Sequence, residues 1–121
     1  MEKPLEFGWF LPTSGDTQAY GVEEESIAAS PDHMMKVVAA VEDAQFDYML
    51  IPVARYCWEA YVSGAFAAAS SSKVAPLIAA RPGYMNPVLL AKMISTFDQF
   101  SGGRICVCLL YTSDAADDRS C

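Results

Sequence analysis

One histidine, His33, serves all 121 residues, and that scarcity excludes several chemistries. A Ser-His-Asp hydrolase would need the imidazole near a nucleophile elbow, and no Gly-x-Ser-x-Gly occurs. A structural zinc site is unsupported, because His33 lies far along the chain from Cys57, Cys106, Cys108 and Cys121. Those cysteines have no framework-like spacing, so a disulfide scaffold is not expected either. Positive charge is short as well. Eight Lys+Arg face 15 Asp+Glu, a net charge of −7, which argues against nucleic acid and anionic membrane surfaces as partners. Part of that charge is local: Glu23-Glu24-Glu25 reads as a solvated loop. No apolar run approaches the ~18–20 residues of a membrane-spanning helix. Met1-Glu2-Lys3-Pro4 opens without a signal-peptide pattern, so a reduced cytoplasmic setting is expected. Neither a Gly-x-Gly-x-x-Gly nor a Gly-Lys-Ser/Thr loop is present to cradle a phosphate.

What the chain does have is apolar material in a regular order. Hydrophobic residues make up 53% and charged residues 19%, enough for a core in one modest domain. Residues 5–11 read as a strand ended by Pro12, and a long polar stretch over 13–29 follows, of the kind that serves a site or a lid. Ser30-Pro31 predicts a helix start, with Met34, Val37, Val38, Val41 and Ala44 at helical spacing behind it. Residues 48–53 (YMLIPV) read as a strand covered on both faces. An alanine-rich helix over about 57–71 and a third strand over 74–80 come next. Asn86-Pro87 opens a helix with Leu90, Met93, Ile94 and Phe97 as its apolar stripe, Gly102-Gly103 stops it, and residues 104–110 form a fourth strand. Strand-helix alternation specifies a parallel sheet with right-handed crossovers. Periodicity leaves open whether the sheet is doubly wound or part of a (β/α)₈ barrel. Length alone favours the open sheet, since a barrel needs about 250 residues.

Both architectures place ligands at the carboxyl ends of the strands. After the first strand, Trp9 could wall an aromatic cofactor or belong to the core. After the second, Val53-Ala54-Arg55-Tyr56-Cys57 offers free backbone and a thiol near a helix start, where the helix dipole favours thiolate; a small buried thiol is the plain alternative. After the third, Arg81 could hold an anion or pair with a nearby carboxylate.

WFLPTSGD, LIPVARYCWEA and LIAARPGYMNPVLLAKMISTFDQFSGGR, in that order and at plausible spacing, resemble the bacterial-luciferase-like flavin monooxygenases, the alkanesulfonate monooxygenase type most of all. The resemblance runs from about Leu5 to Val107. It implies an α/β fold: residues 1–107 would be the amino-terminal part of a (β/α)₈ TIM barrel, about three and a half βα units of eight. It also implies reduced FMN supplied by a separate reductase, dioxygen as co-substrate, and desulfonation of an alkanesulfonate to aldehyde and sulfite. By resemblance, Val53, Ala54 and Trp9 line the flavin, Cys57 helps set up the flavin–oxygen chemistry, and Arg81 faces the substrate. A homo-oligomeric parent is implied too.

Two departures bear on these expectations. Ser14 stands where close relatives often carry histidine, which leaves sulfone or amine oxygenases, and a deazaflavin-dependent reductase, as alternatives. Family members continue the fourth strand with an Asn-Leu-Val-Thr-Gly-like segment, whereas Cys108 stands at the Asn position here. Residues 108–121 are expected to be a foreign tail resembling translated adapter sequence. With part of a barrel only, the chain by itself is expected to be inactive and prone to aggregate through unpaired strand edges. The rival from another class is a complete, non-catalytic doubly wound binding domain of roughly 110 residues.

Overall fold

Two prolines set where two of the helices begin. In the computed structural model, which describes residues 2–110, Ser30 Oγ accepts from the His33 amide at 3.1 Å ahead of Pro31. Asn86 Oδ1 accepts from the Val88 amide at 2.9 Å ahead of Pro87. Each satisfies an amide that has no partner inside the helix. Gly102 and Gly103 both take positive φ just past the last helix, the backbone state glycine adopts most cheaply.

The elements run β1 (Gly8–Phe10), β2 (Asp16–Thr17), β3 (Ser26–Ile27), α1 (Pro31–Asp43), β4 (Tyr48–Ile51), α2 (Ala60–Ala68), β5 (Ala75–Ala80), α3 (Pro87–Phe100) and β6 (Cys106–Leu109). The main sheet has the order β1-β4-β5-β6, every pair parallel. β2 and β3 form a small antiparallel pair of their own inside the long first connection. This is the α/β architecture the alternation predicts, with each helix crossing between neighbouring parallel strands.

Several boundaries contract. Only Gly8–Phe10 of the first expected strand pairs. β4 ends at Ile51 because Pro52 has no amide to continue the ladder. α2 starts at Ala60, where the Glu59 carboxylate accepts from the Val62 amide at 2.7 Å; Cys57 therefore sits in a turn before the helix, its own amide bonded to Ala54 O at 3.1 Å. The expectation that residues 48–53 are covered on both faces is corrected as well. β4 and β5 alternate fully buried and half-buried residues, so one face packs under the helices and the other is only partly covered.

The packed face holds Met49, Ile51 and Ile78, each 0% exposed, against Met34, Val38 and Val41 of α1 and Phe97 of α3. The β6 strand continues through Cys108 and Leu109 in register with Ala79 and Ala80; residues 111–121 of the expected tail lie outside the described residues. Among the described cysteines Cys57 and Cys106 are free.

Glu42, near the end of α1, pins the lead-in to β5. Its carboxylate accepts from the amides of Ser72 (2.8 Å), Lys73 (3.0 Å) and Val74 (3.2 Å), and from the Ser72 hydroxyl. Partial burial opposes ionisation, but these donors outweigh it and hold the carboxyl below its ordinary range. With a lowered folded value, the contribution is complete above the ordinary carboxylate range and disappears as pH falls through the lowered value. Glu42→Ala is expected to cost about 1–2 kcal/mol. Amide exchange at residues 72–74 should accelerate in the variant at neutral pH, and in the parent only under acid; unchanged exchange would refute the assignment.

Candidate functional site

The carboxyl ends of β1, β4 and β5 are tied into one rim by backbone and side-chain bonds. The Leu11 amide donates to Leu50 O at 2.9 Å, and the Trp58 amide donates to Thr13 O at 2.9 Å, which joins the loop after β1 to the turn after β4. Arg81 Nε donates to Val53 O at 3.3 Å, joining the loop after β5 to the same segment. The loops are therefore held by the sheet and not left to wander.

A cavity of about 570 Å³ opens behind this rim. Val53, Ala54, Cys57 and Arg81 all line it, together with Tyr61 and Tyr84. Its volume lies within the usual ~300–1,000 Å³ of small-molecule sites. Apolar wall comes from Val53, Ala54, Met85 and Leu90, and Arg55 adds a second guanidinium. Among the described residues the only ion pair is Asp16–His33, so neither arginine has a carboxylate partner there. The ordinary explanation for Arg81, a structural ion pair, is thus not what the described chain adopts. Its Nε is committed to Val53 O, and the rest of the planar fork is left for an anion.

Trp9 is placed elsewhere. Its Cα pairs with that of Met49, which puts it on the helix-packed side of the sheet, and its ring stacks on Phe46 with centroids 6.2 Å apart. It borders a separate recess of about 310 Å³ with Pro12, Ser14 and Asp16. Period-2 alternation makes this an either-or matter: a strand residue can serve one face only.

That recess lies beside the β2–β3 pair. Asp16 Oδ2 meets His33 Nε2 at 2.9 Å, clamping the long first connection onto the start of α1. The hydrogen bond from His33 lowers the Asp16 pKa, partly offset by desolvation.

Tyr61 is a cavity residue that the sequence did not single out. Its place in the first turn of α2, directly after the loop that follows β4, was the available signal. Tyr84 and Arg55 stand in the loops after β5 and β4 but carry no motif of their own.

Comparison with known proteins agrees with this architecture. Residues 5–118 match the model of a family described as luciferase-like monooxygenase, a range that extends past Val107. Among solved structures, the chain is similar to the coenzyme F420 dependent tetrahydromethanopterin reductase from Methanopyrus kandleri, with 22% identity and a TM-score of 0.70. That match covers 88% of this chain and 27% of the reductase. It is also similar to the monooxygenase RslO1 from Streptomyces bottropensis, at 18% identity and a TM-score of 0.64, over 91% of this chain and 35% of that one. At these identities the likeness is one of fold: the strands and helices match part of a luciferase-like TIM barrel. The chain spans about a third or less of the length of each structure.

Proposed function

The chain belongs to the luciferase-like monooxygenase family, and on that footing we propose that its rim cavity forms part of a site where reduced FMN and dioxygen oxygenate a small organosulfur substrate, an alkanesulfonate foremost. The observation that carries this reading is the meeting of Val53, Ala54, Cys57 and Arg81 in one cavity, with the guanidinium free of any carboxylate among the described residues.

The residues present suit a flavin-type group. Val53, Ala54, Met85 and Leu90 supply apolar wall for a planar ring, and the Tyr61 side chain borders the same space. Bound reduced FMN would supply the two electrons that activate dioxygen. One oxygen atom ends on the carbon that bore sulfur, the carbon–sulfur bond breaks to release sulfite and an aldehyde, and the other oxygen leaves as water.

The chain's own residues have narrower tasks. Apolar walls exclude water from the oxygen chemistry. Arg81 receives the sulfonate, because an unpaired anion would not leave water for such a cavity. Cys57, in its turn between β4 and α2, presents its thiol to the same space. The reading further assigns a separate flavin reductase, a homo-oligomeric parent protein, a cytoplasmic location and additional βα units completing the barrel.

Arg81 supplies the test. In the intact protein, given reductase, FMN and an alkanesulfonate, Arg81→Gln should raise KM by roughly 10–100-fold, the worth of a hydrogen bond to a charged group. Sulfite release measures it. A KM unchanged from wild type would remove the alkanesulfonate assignment.

A further inference from the structure

The rim cavity carries charge of both signs. Arg55 and Arg81 line it, and so does Glu59, the residue that opens α2. Opposite charges sharing one space can close on each other, yet among the described residues neither guanidinium forms an ion pair with Glu59. Arg81 is held back by its Nε bond to Val53 O. Glu59 is held as well, because its Oε2 accepts from the Val62 amide at 2.7 Å and caps the helix. Both are anchored to backbone, so neither swings across to neutralise the other.

The cap engages one carboxylate oxygen of Glu59 and leaves the other uncommitted. The charge is felt at the cavity wall: burial first, and then Glu59, raise the Tyr61 phenol above its ordinary range. A purely anionic ligand would answer the arginines and set its other end beside this carboxylate. An apolar tail there would strip water from a charge and return nothing for it. A ligand with an anion at one end and an ammonium at the other satisfies both signs. Glu59 and Arg55 are exposed, whereas Arg81 is half-buried. The ammonium end therefore sits in the wetter part, where an ion pair gains only modestly over solvation, and the expected effect is sized accordingly.

We propose that the preferred substrates are zwitterions, small alkanesulfonates that carry an ammonium group, with the sulfonate at Arg81 and the ammonium at Glu59. This rests on the alkanesulfonate reading above and adds to it the group at the substrate's other end. Glu59 selects the substrate and takes no part in the oxygenation.

Butanesulfonate and 3-aminopropanesulfonate, alike in length with a methyl exchanged for an ammonium, are the probes. In the intact protein with reductase, FMN and dioxygen, sulfite release gives kcat/KM for each. Wild type should favour the amino compound by about three- to tenfold, between an exposed ion pair and a full hydrogen bond to a charged group. Glu59→Gln keeps a side-chain carbonyl to cap Val62 and should bring that ratio to about one or below. Any general loss from an altered helix start lowers both rates and cancels in the ratio. A ratio preserved in the variant would overturn the proposal, as would a wild type that turns over butanesulfonate equally well or better. Either result leaves the alkanesulfonate reading standing. Wild type alone gives a second measurement, which holds even if the variant does not fold: added salt should shrink its preference, because an exposed pair is screened. A preference unmoved by salt would also overturn the proposal. Sulfite release from neither compound would remove the alkanesulfonate reading and this inference together.

Discussion

Arg104→Met is expected to destabilise the protein by about 3 kcal/mol, the upper end of what hydrogen bonds to a charged group contribute, since the half-buried guanidinium serves several carbonyls at once. The guanidinium gathers three chain segments at the end of the sheet opposite the rim. Nε donates to Ser101 O at 2.7 Å, just past α3. Nη1 donates to Val74 O at 2.7 Å and to Ser71 Oγ at 2.9 Å, and Nη2 to Ala68 O at 3.1 Å and Ser71 O at 3.0 Å. Ala68 and Ser71 lie at and just beyond the end of α2, where helix carbonyls have no partner of their own and partial negative charge accumulates. A planar fork of five N–H donors can serve carbonyls in several directions at once, and an ammonium cannot. Arg104→Lys should therefore recover less than half of the loss. Urea unfolding of the three proteins measures it, and a methionine variant within about 1 kcal/mol of wild type would refute the account.

Gly64→Val should be as damaging, at about 3 kcal/mol or more, the upper end of what overpacking a core costs. Gly64 lies in the middle of α2 where the helix crosses the sheet. A Cβ there would come within 2.6 Å of Ile51 Cδ1 and 3.1 Å of Phe97 Cε1 and Cζ. Ile51 is fully buried and Phe97 nearly so, so neither can swing aside without disturbing close-packed neighbours. Alanine is the informative control. It gains about 1 kcal/mol of helix propensity over glycine and loses roughly 1–3 kcal/mol to overpacking, so Gly64→Ala should be near neutral to mildly destabilising. Valine adds two methyl groups to the same gap and a β-branched penalty besides. A melting temperature for the valine variant equal to that of wild type would show that α2 rides farther from the sheet than its approach to Ile51 requires.

Much of the architecture is legible in the chain itself. Ser30-Pro31 and Asn86-Pro87 announce helix starts because a side-chain acceptor followed by a residue lacking an amide suits a helix's first turn and little else. Apolar runs separated by helical patterns announce parallel strands. The family resemblance lies in segments that end strands, where a barrel keeps its chemistry, and it points to Val53, Ala54, Cys57 and Arg81, which the fold brings to one cavity.

What the sequence could not deliver was side. Whether Trp9 faces the helices or the opposite surface depends on a register shift of a single residue, and three paired residues in β1 leave no longer pattern to read it from. Whether Arg81 pairs with a carboxylate depends on which acids approach it, a matter of loop geometry. Order of elements, caps and chain-end chemistry are local properties, written in residues a few positions apart, and the sequence determined them by itself. The cavity's membership and the five-donor junction at Arg104 join residues tens of positions apart. Packing alone decided these, because such contacts exist only after the sheet has chosen its register and the helices have settled on one face.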